Sequence, residues 1–261
     1  MSKDEKALQE TFTWARSVEF SDYNSYLGHY QAQACLEHAR GDSLLDMPCG
    51  DGMLTAMMAP RFRRVVGADA SAAHLAQARK RLPGVELHHD LIEDLQLNER
   101  FDTITMLNVL EHVADPVGVL RKAASLLSDD GVVLVHVPNA QAVNRKIAVL
   151  MGTLASCEEL SPFDINIAGH RRSYDLAGLC ADVKASGLEL VATGGVFYKM
   201  LSTPQMDWFL RNGRWQDGGF GWGRVGAAPR DWKAEFCRAC YEYGRNHPED
   251  CNVIYACAVR A

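Results

Sequence analysis

Three carboxylates and two histidines stand at or beyond the ends of strand-like segments. Asp46 ends the apolar run in "SLLDMPCGDG" and Asp69 the one in "VVGADAS", while Asp90 ends the strand-like segment in "HHDLIEDL". His112 lies in "FDTITMLNVLEHVADP" and His170 in "GHRRSYD". A carboxylate placed like Asp69 can accept from both hydroxyls of a ribose. One placed like Asp46 attracts a positive group, and Asp90 can accept from a base amino group. Gly50 and Gly52 let a ligand approach the backbone with no Cβ in the way. Asp46 and Asp51 make the same loop a poor cradle for a pyrophosphate, because like charges repel. Thr55 also takes the third glycine position of a dinucleotide fingerprint. A cationic nucleoside suits these residues better. His112 and His170 add imidazoles that can take a proton from an oxygen or nitrogen nucleophile near neutral pH.

The elements that must position these groups alternate. Strands are expected at "SLLDM", "RVVGADA", "VELHHDL", "FDTITMLNVL" and "GVVLVHVPN", with helices at "GMLTAMMAPRF", "SAAHLAQARKRL" and "PVGVLRKAASLLS" between them. Ser71 can cap the second of those helices and Pro116 opens the third. This rhythm predicts an α/β chain with a doubly wound, mostly parallel sheet. Two further strands, "LELVATGGVFY" and "CNVIYACAVRA", bring the expected sheet to seven. Residues 5–40 read as two helices joined by a loop near Phe20–Asn24, "SPFDINIAGHRRSYD" as a loop, and residues 202–230 as an irregular Gly- and Trp-rich insertion. A single domain over 1–261 is expected: helical cap 1–40, binding core 41–139, substrate-side segments and lid 140–250, last strand 251–261.

Bulk properties exclude some partners. The 261 residues carry a formal net charge of -6, which argues against a nucleic-acid partner. No apolar run has the length of a membrane span. "MSKDEKALQE" lacks the apolar core of a secretory signal, so a cytoplasmic chain with eight reduced cysteines is expected. Cys237, Cys240, His247 and Cys251 have ligand-like spacing, yet the same stretch reads as an amphipathic helix with cysteines in its core face.

S-adenosylmethionine meets the demands of the glycine loop: it has no phosphate and carries a sulfonium. The segments "LLDMPCGDG", "VVGADAS", "HHDLIEDL", "FDTITMLNVLEHVADP" and "LLSDDGVVLVHVPN" cover residues 43–139 in order. Through them the chain resembles the class I S-adenosylmethionine-dependent methyltransferases, small-molecule branch. Pro48 departs from the commonest pattern, which has glycine there. The resemblance implies the Rossmann-like methyltransferase fold. It implies cofactor contacts by Asp46, Gly50, Gly52, Asp69, Ala70, Asp90, Leu91 and Asn108, with S-adenosylhomocysteine as product. Some relatives of the quinone O-methyltransferase type hold a divalent metal in the segment after the fourth strand. Asn108 is not an acid, so no metal is expected here.

On the acceptor side, His170 and His112 are the candidate bases. Arg171 and Arg172 could clamp an anion or be a solvated pair. Tyr26, His29 and Tyr30 share a helical face that covers either the site or a sheet edge. Tyr174 and Lys199 are further candidates for substrate contact, as are the aromatic residues Phe197, Tyr198, Trp208 and Trp222. The expected reaction is methyl transfer to a small molecule, by resemblance most often to a hydroxyl of a sugar or secondary metabolite, by a monomer or homodimer. Transfer to nitrogen, to RNA or to protein, and a non-catalytic cofactor-binding module, are the alternatives.

Overall fold

The computed structural model describes residues 5–7, 21–213 and 231–261. Seven strands form one sheet in the order β3-β2-β1-β4-β5-β7-β6. They are β1 Ser43–Asp46, β2 Arg64–Ala68, β3 Glu86–His88, β4 Phe101–Leu107, β5 Leu127–Pro138, β6 Leu188–Val196 and β7 Val253–Arg260. The first five run parallel, and β7 is antiparallel to both β5 and β6. The helices are α1 Ser21–His38, α2 Met53–Met58, α3 Ala72–Arg81, α4 Pro116–Leu126, α5 Val143–Leu150, α6 Leu176–Ala185, α7 Thr203–Asn212 and α8 Trp232–Asn246.

The central strands β1, β4 and β5 are buried on both faces because both are covered. Leu45, Ile104, Met106, Val133 and Val135 pack with Leu120 of α4 and Leu179 and Val183 of α6. Their alternate neighbours Leu44, Leu107, Val132 and Leu134 pack on the other side with Ala32 and Cys35 of α1. Helix starts are set locally. The side chains of Ser71, Asp115 and Asp175 accept from the backbone N–H three residues on, capping α3, α4 and α6. Gly187, at φ 88°, follows the end of α6.

Several segments differ from the sequence expectation. α1 takes in residues 21–24 of the expected loop, and Asp207 of α7 accepts from Tyr23 N at 3.0 Å. β5 starts at Leu127, taking residues expected in the preceding helix, and Leu127 pairs with Phe101. Within the expected 161–175 loop, Asp164–Ala168 forms a π-helical turn. Within the expected irregular insertion, Thr203–Asn212 is helical and has a capping box formed by Ser202 and Gln205. Residues 214–230, with Trp222, lie outside the described residues. Cys237 and Cys251 are buried, and the Cys251 thiol donates to Val253 O at 2.8 Å, as core cysteines do.

Gly52 sits at φ 80°, and a Cβ there would come within 3.1 Å of Ala78 Cα and 2.8 Å of Leu82 Cδ1. It lets the loop after β1 lie against α3. Gly52→Ala combines left-handed strain with a backbone clash, so a loss of about 2–3 kcal/mol is expected. Urea unfolding would show it as a lower midpoint at unchanged slope.

Candidate active site

The loops after β1, β2, β4 and β5 open onto a cavity of about 960 Å³. Asp46, 1% exposed, is the last residue of β1 and faces this cavity. Its carboxylate accepts from Thr55 Oγ1 at 2.5 Å and Thr105 Oγ1 at 2.7 Å. Burial pushes Asp46 up to about 6, and the two hydroxyls oppose that rise. The group therefore stays mainly charged at pH 7.

Asp69, just past β2, joins the first two loops. Its Oδ2 accepts from Gly50 N at 2.9 Å and its Oδ1 from Ser71 N at 2.8 Å. Gly50 has φ 54°, and a Cβ built on it would meet nothing within 4 Å. The loop thus presents bare backbone to the cavity beside two carboxylates. This is the cradle a cationic nucleoside needs, so the residues fit S-adenosylmethionine. Ala70, Asp90 and Leu91 line the same cavity beyond β2 and β3.

Asn108 follows β4 in a left-handed conformation, φ 53°, which asparagine tolerates better than most residues. Its N–H donates to His136 O at 2.8 Å, and its side chain lies 3.4 Å from Gln31 Nε2 of α1. Helix α1 reaches the cavity through Tyr23, Leu27 and Gln31, spaced i, i+4, i+8. Tyr26 and Tyr30 belong to the same stripe as Tyr23 and Leu27 but do not line the cavity. Tyr30 stacks on Tyr241 with ring centroids 4.5 Å apart, in an aromatic core with Phe197. Gln31 was legible only as part of that helical stripe.

Past Asn108 the chain turns through Glu111 and His112, and the distant His170 comes to meet them. The two imidazole centroids are 5.0 Å apart. His112 Nδ1 lies 3.2 Å from Gly169 O. A carbonyl only accepts, so Nδ1 carries the proton and Nε2 keeps its lone pair. Burial brings His112 down to about 4, assisted by the charge of His170, and burial also lowers His170. Both rings are neutral at pH 7 and both line the cavity. Glu111 is 1% exposed, and neither carboxyl oxygen has a hydrogen-bond partner. Burial pushes it up to about 8. Glu111, His112 and His170 each offer one ligand atom, all within 4.8 Å of one another, so they could hold a cation. The expectation of no metal looked only at Asn108; the fold adds His170 as a donor.

The "GHRRSYD" segment acts largely as a brace. Arg171 N donates to Glu111 O at 2.8 Å, and its guanidinium meets both oxygens of Glu5 at 2.9 Å. Arg172 donates to Leu110 O at 2.6 Å, Val113 O at 2.5 Å and Ala114 O at 3.3 Å. Tyr174 is buried and donates to Asp182 at 2.7 Å. Arg171, Arg172 and Tyr174 do not line the cavity, nor does Gly52, whereas Lys199 does. Arg172→Ala removes the cation that holds three carbonyls of the Glu111–His112 turn. A loss of about 2 kcal/mol is expected, with faster amide exchange at residues 109–114 as the measurement that checks it.

Comparison with known proteins agrees with this geometry. A family model for a methyltransferase domain matches residues 20–193. The ubiquinone biosynthesis O-methyltransferase of Aeromonas salmonicida is 31% identical over 169 residues, covering 62% of this chain and 69% of that protein. That of Haemophilus ducreyi is 32% identical over 130 residues, 46% of this chain and 53% of that protein. The chain thus spans about half the length of some of the curated relatives it matches. A SAM-dependent methyltransferase structure from Thermotoga maritima shares the fold with a TM-score of 0.61 at 14% identity, covering 98% of this chain and 100% of that one. Among the described residues no helix is long and apolar enough to cross a membrane. A matched family model over most of the chain, on a sheet whose first loops form a cradle for a cationic nucleoside, makes this chain a member of the S-adenosylmethionine-dependent methyltransferase family.

Proposed function

We propose that the protein methylates a hydroxyl oxygen of a small-molecule acceptor. The observation that carries this reading is the pair of neutral imidazoles, His112 and His170, in the wall of the cavity that Asp46 and Asp69 also line. When bound, S-adenosylmethionine supplies an electrophilic methyl carbon whose leaving group is neutral. The chain then has to align the acceptor, exclude water and accept one proton. A hydroxyl needs that proton removed as its oxygen forms the new bond to carbon. His112 has its Nδ1 proton committed to Gly169 O, which leaves Nε2 as the accepting atom. His170, whose backbone N–H is anchored to Asp164 O at 2.8 Å, is the second acceptor of the pair. The O-methyltransferase names of the curated relatives support the same atom type. The net charge of -6 supports a small acceptor over RNA.

The test is transfer of labelled methyl from S-adenosylmethionine to a cell extract, followed by separation of small molecules from RNA and protein. Label in the small-molecule fraction that survives as an alkali-stable methyl ether supports the reading. Label confined to RNA or protein overturns the acceptor class, and label on an amine overturns the oxygen.

A further inference from the structure

Three cationic side chains line the cavity among the described residues: Arg81, Arg145 and Lys199. Two are spent. Arg81 pairs with Asp51 at 2.6 Å. Arg145 pairs with Asp164 at 3.0 Å and donates to the carbonyls of Cys157 and Glu159. Lys199 differs. It is 5% exposed, its Nζ donates to Thr203 Oγ1 at 2.5 Å, and it lies 4.8 Å from the centre of the Tyr23 ring. No carboxylate among the described residues pairs with it. Asp164 and Arg145 act on it from a distance with opposite signs. Burial lowers it to about 7, so its charge at neutral pH waits for an anion to fix it. Tyr23, in the same wall, has a buried hydroxyl with no partner.

A buried amine with no counter-ion is costly unless the site's occupant supplies one. Arg171 and Arg172, the other candidate clamps, are taken by Glu5 and by backbone carbonyls. Lys199 follows β6, four strand spacings from β1 in the sheet order, roughly 19 Å at strand level. That places it on the acceptor side, away from the loops bearing Asp46, Asp69 and Asp90. We infer that Lys199 anchors a carboxylate on the methyl acceptor, which narrows the substrate class to hydroxy acids. One lysine balances one negative charge, which suits a carboxylate better than a phosphate dianion. The inference rests on the small-molecule reading above.

Benzoate and benzamide, an anion and its neutral counterpart of like shape, serve as probes. Calorimetric titration into protein saturated with S-adenosylhomocysteine should show benzoate binding about tenfold tighter or more. Lys199→Met should erase that preference, leave S-adenosylhomocysteine affinity unchanged and raise the melting temperature, which verifies folding. Equal affinities in the wild type, no benzoate binding, or a preference that survives in Lys199→Met would overturn the inference. A drop in S-adenosylhomocysteine affinity in Lys199→Met would overturn it too, by assigning the lysine to the cofactor's own carboxylate. If the wild type does not bind S-adenosylhomocysteine, the methyl-transfer reading itself falls.

Discussion

Asp69→Ala is expected to weaken S-adenosylhomocysteine binding by roughly 100-fold, about 3 kcal/mol. The carboxylate lines the cavity, and each oxygen already accepts one backbone N–H, from Gly50 and from Ser71. A carboxylate has about four lone-pair sites; Oδ2 keeps one for a ribose hydroxyl, and Oδ1, which also has His74 Nδ1 at 3.4 Å, takes a second as that long contact opens. Two hydrogen bonds to a charged acceptor contribute about 1.5–3 kcal/mol each. Asp69→Asn keeps the shape but turns one acceptor into a donor, so a smaller loss of about tenfold is expected. Calorimetry on both variants, with circular dichroism melts as a folding control, checks this. Unchanged affinity in Asp69→Ala would mean the cofactor sits elsewhere.

The part of the cavity lined by Asp46, Asp69 and Asp90 was legible in the sequence because it obeys local rules. Asp46 and Asp69 end apolar runs, Asp90 follows a strand-like segment, and in a parallel sheet the strand ends share one edge. Periodicity alone therefore gathers them. The acceptor half depends on contacts between residues far apart in the chain. Tyr26 and Tyr30 shared a helical face, but the face α1 turns to the cavity is fixed by what packs behind it, namely Tyr241 and Phe197. Nothing within α1 records that choice. Arg171 and Arg172 looked like anion clamps because their partners, Glu5 and three carbonyls, are local to neither. His170 and His112 were each visible as bases, but their 5.0 Å approach depends on the π-helical turn that precedes Gly169. The hydrogen bond from Tyr23 N to Asp207 is invisible for the same reason: 184 residues separate the partners.

Glu111→Gln should make the protein more stable at pH 8, by about 5 kcal/mol, and less active. Burial holds the carboxyl up at about 8 in the folded chain, against about 4.3 when unfolded. Between those values the unfolded chain releases a proton that the folded chain keeps. The contribution of Glu111 to stability is thus complete below about pH 4.3 and is lost as pH rises to about 8. His112 has the opposite sign. It sits at about 4 when folded and about 6.5 unfolded, so its contribution is complete above about 6.5 and lost as pH falls. From about 4.3 to 6.5 the two slopes cancel, and from about 6.5 to 8 the Glu111 loss stands alone. Those slopes are the wild type's; the variant keeps the His112 slope and lacks the Glu111 loss, so thermal melts in chelator at pH 5, 7 and 8 should show its lead growing at each step, to about 10 °C at pH 8. Parallel curves would mean Glu111 is not held protonated. A carboxyl buried with both oxygens unpartnered destabilises the fold, the kind of stability cost that active sites commonly carry. Methyl transfer by the variant should therefore drop about tenfold or more while its melting temperature rises. A stabilised variant with full activity would leave Glu111 outside the reaction.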